Sequence, residues 1–213
     1  VVEAGFSELS IDLMFGIPGQ TEAQLDADLE ELIASPATHA SIFAMIYRPE
    51  APLWGRRKEA SLLSLYDRAA GRLTRAGFTQ YTAEDFTRSG VGCRYQEEIW
   101  KPAAKGFLGF GAGAMSIYGA SAWHNVGPVE AYVAASRDDA PPVAGGGKSD
   151  TRRQMLEHLM AATRGLRIDP GAFERRFGVG LREVVGPLPR ILELAGLLRR
   201  ESDGSWATTR RGA

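Results

Sequence analysis

The sequence predicts an α/β fold followed by a small helical, winged-helix-like unit, and three observations predict it. Short apolar runs alternate with amphipathic helical stripes over the first part of the chain, a Pro- and Gly-rich stretch interrupts it at 137–150, and residues 151–213 read as helices closed by a hairpin signal. Of the 213 residues 44% are apolar, with 25 Lys+Arg against 26 Asp+Glu. That balance excludes a collagen, a disulfide scaffold and a wholly disordered chain. No apolar run approaches the roughly 20 residues a membrane helix needs, and no signal peptide is visible, so a cytoplasmic protein without a membrane partner is expected. The chain opens Val1-Val2-Glu3-Ala4, without an initiator Met, as a piece of something longer would.

Leu9–Phe15 is a short apolar run bounded by turn residues, the pattern of a buried parallel strand. It stops at Gly16-Ile17-Pro18-Gly19-Gln20. Thr21 stands three residues before Gln24, the spacing of a capping box, and Leu25, Leu29, Leu32 and Ile33 share one helical face until Pro36. Ala40–Tyr47 is strand-like again, and Arg48-Pro49-Glu50-Ala51-Pro52-Leu53 is a punctuated loop. Leu62, Leu65, Tyr66, Ala69 and Leu73 form the next apolar stripe, Gly77 suits the position after the helix, and Phe78–Thr82 alternates. Strands alternating with helices imply parallel pairing.

Residues 1–150 hold 13 basic and 19 acidic side chains, residues 151–213 hold 12 and 7. Two folding units follow, 1–136 and 151–213, with 137–150 as a linker whose Pro141-Pro142 and Gly145–Gly147 suit neither helix nor strand. The second unit has helices around Thr151–Thr163, after Pro170 and around Pro189–Leu194. Asp203-Gly204 between two extended runs then marks a hairpin.

Asp12 interrupts an apolar strand, so it either meets a ligand such as a ribose hydroxyl at the open end of a sheet or is satisfied by an Arg or backbone amides. Gly16–Thr21 and Phe107–Ser116 each admit two readings, a close ligand approach or a tight, small-residue packing contact. Arg94, Tyr95, Gln96 and Trp100 either line a pocket for a planar anion or form an ordinary helix surface. His39, His124 and His158 are too scattered to suggest a metal site, and Glu84-Asp85 and Glu97-Glu98 read as solvated surface.

In order, Ile11–Thr21, Ser41-Ile42-Phe43, Pro49–Leu53, Ala76-Gly77-Phe78, Cys93-Arg94 and Leu108–Ser116 resemble the radical S-adenosylmethionine (SAM) enzymes of the oxygen-independent coproporphyrinogen III oxidase family, over nearly the whole chain. The resemblance implies that 1–136 is the second half of a partial (β/α) barrel with its extension, and that the tail is the family's C-terminal domain. By the same resemblance Asp12 contacts SAM, Met14 packs by its adenine, and Phe43 and Ile46 lie beside it. Arg94, Gln96, Gly109, Gly111 and Ser116 then border the substrate. The implied activity is radical oxidative decarboxylation of a tetrapyrrole, with SAM and a [4Fe–4S] cluster as cofactors and an electron donor such as flavodoxin or ferredoxin as partner. A radical-SAM methyltransferase, a haem chaperone or a haem-degrading paralogue is the alternative within the family. Outside it stands a winged-helix regulator that binds nucleic acid, a partner the family reading does not require.

Two departures qualify the resemblance. The family's Cys-x-x-x-Cys-x-x-Cys loop is missing, and the sole cysteine, Cys93, lies outside any such motif, so this chain does not ligate the cluster. Arg94-Tyr95-Gln96 stands where the haem-chaperone branch shows Arg-His-Asn, which points away from that branch.

Overall fold

β1 (Ser10–Phe15) alternates, with Ile11, Leu13 and Phe15 turned inward and Ser10, Asp12 and Met14 exposed. The strand expected to be buried is thus open on one face, because the helices that contact it pack against the other. The computed structural model describes residues 2–46, 62–101, 106–137 and 141–212. The Pro49–Leu53 motif lies outside them. After β1 the Gly16–Thr21 turn is closed by Gln20, whose Oε1 accepts from the Gly16 N–H at 2.9 Å. Thr21 and Gln24 form the expected capping box on α1 (Glu22–Ala34), which buries Leu25, Leu29 and Leu32.

β2 (His39–Ala44) pairs parallel with β1. Beyond α2 (Leu62–Arg75), β3 (Thr79–Gln80) and β4 (Asp85–Thr87) complete a sheet of order β1-β2-β4-β3. The alternating pattern predicts parallel strands throughout, yet β4 is antiparallel to both its neighbours. Only residues 81–84 separate β3 from β4, too short a connection for a parallel crossover. Phe15, Leu25, Leu29, Ile42, Leu73, Phe78 and Phe86 form the core beneath this sheet.

Asp26 links α1 to α2. It accepts from Arg68 Nε and Nη2 at 2.8 and 2.6 Å and pairs with Arg72 at 2.9 Å. The Arg68 bonds foremost, then those of Arg72, hold its carboxyl well below the usual carboxylate range. A depressed folded-state pKa stabilises above the unfolded value and loses that stabilisation as pH falls towards the folded one. From about pH 4 downward, the urea midpoint of the wild-type chain is therefore expected to fall more steeply than that of Asp26→Asn; parallel slopes would remove this role from Asp26.

Two compact units divide the chain, one comprising Val1–Glu97 with Arg164–Leu166, the other Glu98–Thr163 with Arg167–Gly212. α3 (Arg94–Ile99) lies where the first passes into the second. The second unit holds a four-stranded antiparallel sheet of β5 (Gly106–Phe107), β6 (Met115–Tyr118), β7 (Ser121–Asn125) and β8 (Val143–Lys148), in that order. α4 (Val129–Ala135) lies between β7 and β8. Gly145–Gly147, expected to break regular structure in a linker, instead belong to β8. An edge strand held by its backbone ladder to β7 needs no side chains to pair.

α5 (Thr151–Arg164), β9 (Arg167–Ile168), α6 (Pro170–Phe177), α7 (Leu181–Val185), α8 (Leu188–Leu194), β10 (Leu198–Arg200) and β11 (Trp206–Thr208) follow in winged-helix order. α7 is one helix more than expected, and β9 adds a third strand to the expected hairpin. Phe173, Leu181, Leu198 and Trp206 are its buried core, and His158 packs edge-on against Phe173 and Phe177 at 5.4 and 5.5 Å. No helix among the described residues is long and apolar enough to cross a membrane.

Candidate functional site

The open face of β1 and β2 carries the residues of interest. Register sets Asp12 opposite Ser41 and Met14 opposite Phe43, and opposed residues share a face. Asp12 is exposed and makes no hydrogen bond among the described residues, neither with an Arg nor with backbone amides. Its two oxygens are therefore open to a pair of hydroxyl donors, and Met14 (40% exposed) and Phe43 offer apolar surface one step along. Ile46, 80% exposed, follows the C-terminal end of β2, where the Met45 N–H still bonds the Phe15 carbonyl at 2.8 Å. Asp12, Met14 and Phe43 thus share one face of the strand pair, and Ile46 lies two residues beyond the end of β2.

The same face holds polar residues that the sequence did not single out. Asp85, read as solvated surface, is buried, accepting from Ser41 Oγ at 2.6 Å and Thr82 Oγ1 at 2.5 Å. Glu84 turns the other way to pair with Arg164, and burial pushes its carboxyl up against that cation's pull. His39 is buried with Nε2 2.9 Å from Glu8, whose pKa is lowered by the Thr38 hydroxyl and then by His39. Tyr81 stands edge-on to His39, and burial pushes its phenol up to about 12. These contacts close in on themselves as a polar network in which the buried His39 Nδ1 alone has no hydrogen-bond partner among the described residues.

Arg94 and Gln96 lie on α3, Arg94 exposed and without an ion pair among the described residues, Gln96 half-buried. Gly109, Gly111 and Ser116 belong to the second unit. There the loop before β6 is knitted by its own groups. Buried Ser116 accepts from the Gly109 N–H at 3.0 Å, Asn125 Nδ2 donates to the carbonyls of Gly109 and Gly111 at 3.4 and 3.0 Å, and Tyr132 Oη accepts from the Gly111 N–H at 3.1 Å. A Cβ on Gly109 would lie 2.3 Å from the Met115 carbonyl oxygen, so no side chain fits there. Asn125 and Tyr132 were invisible in the sequence because their partners lie 14 or more residues away.

A [4Fe–4S] cluster does not fit this chain. Cys93 is the one cysteine, and no group of three or more His, Cys, Asp or Glu among the described residues is arranged to hold a metal. SAM does fit in part, since Asp12 is free to receive hydroxyls and apolar side chains flank it.

No family model matches the chain. It is 27% identical over 200 residues to a Bacillus subtilis protein named heme chaperone HemW, covering 90% of this chain and 52% of that protein. It is also 27% identical over 210 residues to the zebrafish (Danio rerio) "Radical S-adenosyl methionine domain-containing protein 1, mitochondrial", covering 88% of this chain and 46% of that one. Among solved structures, coproporphyrinogen III oxidase (HemN) from Escherichia coli, described as a radical SAM enzyme, superposes with a TM-score of 0.75 at 18% identity. The match covers 99% of this chain and 53% of that one. The fold is therefore the radical SAM fold in part, mixed α/β and consistent with a partial barrel. The chain is thus similar to a C-terminal part of proteins named for haem chaperoning and radical SAM chemistry, and spans about half the length of the relatives it matches.

Proposed function

We propose that this chain is part of a haem-handling radical SAM protein of the HemW kind, in which Asp12, Met14, Phe43 and Ile46 serve SAM and Arg94, Gln96, Gly109, Gly111 and Ser116 border a tetrapyrrole. One observation carries the choice of haem handling over decarboxylation: a protein named heme chaperone matches along 90% of the chain. Likeness to HemN supports the fold alone. The Arg94-Tyr95-Gln96 stretch stands against it only at one point, by removing an imidazole from that helix. SAM supplies radical chemistry when a cluster reduces it, and the one cysteine of this chain does not hold such a cluster. Such a protein would be cytoplasmic and would draw its electron from a flavodoxin or ferredoxin.

The test is a cluster-loaded longer protein that includes this chain, given SAM and either coproporphyrinogen III or hemin. A hemin Soret shift that saturates at one equivalent, with no carbon dioxide released from coproporphyrinogen, is expected. Catalytic decarboxylation without hemin binding would restore the oxidase reading.

A further inference from the structure

The sheet β5–β8 carries a second feature that the SAM and substrate residues do not use. A cleft of about 360 Å³, open on one side, is lined by Met115, Trp123, His124, Gly147, Lys148 and Arg153 among others. Its floor is backbone. Gly145, Gly146 and Gly147 of β8 stand opposite His124, Trp123 and Ala122. A Cβ on Gly146 would lie 2.4 Å from Trp123 Cβ, so the strand passes too close for any side chain. A Cβ on Gly147 would meet nothing within 4 Å, which leaves an open slot on the face that His124 and Met115 share. The His124 imidazole lies over Gly145, where a Cβ would sit 3.3 Å from Cε1. Ser116, next to Met115 in β6, points to the opposite face, so this cleft is separate from the Gly109–Ser116 loop.

The rim is cationic, with two cations and no carboxylate among the lining residues. Lys148 makes no ion pair among the described residues. Arg153 donates through Nε to Glu157 at 3.0 Å, and its Nη1 and Nη2 make no bond among the described residues. Glu157 thus orients the guanidinium while leaving free the two nitrogens that would meet a carboxylate. His124 makes no hydrogen bond among the described residues, and Met115 is 55% exposed. The Trp123 indole shares the opposite face with Ser116; the His124 imidazole, the Met115 thioether and a bare floor suit a flat aromatic ligand, and the two cations suit acidic groups at its edge.

We infer that this cleft binds a planar aromatic ring bearing carboxylates, with the ring over the open Gly147 backbone beside His124 and the carboxylates on Lys148 and Arg153. Identifying that ring as a porphyrin rests on the haem-handling role proposed above; the site itself does not. A porphyrin would be gripped along its carboxylate edge, the remainder projecting through the open side.

The chain is titrated with protoporphyrin IX and with pyrenecarboxylate, each followed by its own fluorescence. Gly147→Val fills the slot at a position with ordinary backbone angles, and Lys148→Gln combined with Arg153→Gln removes the rim charge. Each change is expected to weaken binding about tenfold or more, with circular dichroism and thermal midpoint unchanged and with salt dependence lost in the charge variant. If pyrenecarboxylate binds in this Gly147-sensitive way and protoporphyrin does not bind, the cleft stands and the haem reading fails. Porphyrin binding that neither variant weakens overturns the cleft and leaves the haem reading in place. Failure of the folded wild-type chain to bind either probe also overturns the cleft.

Discussion

Phe86→Ala is expected to destabilise the first unit by about 3–5 kcal/mol, the cost of deleting a fully buried aromatic ring whose cavity only partly collapses. Phe86 is 0% exposed and sits on β4, paired with Ala40 of β2 and Gln80 of β3, so its ring is held on two sides by the sheet and below by the helices. Domains of this kind are stable by only about 5–15 kcal/mol in total, so the loss takes a large share. The comparison is Phe110→Ala, where the ring is 86% exposed and the change is expected to stay within about 0.5 kcal/mol. Urea unfolding of both variants decides the matter. A Phe86→Ala loss below about 1 kcal/mol would mean that β4 is not anchored as described.

The contrast between Phe86 and its neighbour shows what the sequence could and could not reveal. β1, the turn after it and α1 were legible because their signals are local: an apolar run, a Gly-Pro-Gly stop and a Thr-Gln capping pair three residues apart. Asp85-Phe86-Thr87 was not legible as a strand, because the hydroxyls that hydrogen-bond its buried acid are supplied through tertiary structure, one of them on Ser41. The hairpin of β6 and β7 and the glycine strand β8 were missed for a related reason. Their stability lies in backbone ladders and in Asn125, whose partners are distant, and three consecutive glycines carry no hydrophobic period to read. On the candidate site, the resemblance singled out Asp12 and Met14, but that they share one open face and that Asp12 has no hydrogen-bond partner among the described residues emerged only from the packing.

That missing partner sets the expected result for Asp12→Ala. The side chain is exposed and unbonded among the described residues, so its removal is expected to change stability by no more than about 0.5 kcal/mol. If it receives the hydroxyls of a SAM ribose, it makes charge-assisted hydrogen bonds worth about 1.5–3 kcal/mol, and affinity for SAM is expected to fall roughly 10- to 100-fold. Asp12→Asn keeps one oxygen acceptor without the charge and is expected to lie between the two. Asp85→Ala serves as the opposite control: it strands the Ser41 and Thr82 hydroxyls in a buried site and is expected to lower the melting temperature. Equilibrium dialysis of SAM against the cluster-loaded longer protein, beside a melting curve for each variant, separates binding from folding. Unchanged SAM affinity in Asp12→Ala would take the carboxylate out of the site, whereas a loss of affinity that tracked a loss of stability would make it a structural residue instead.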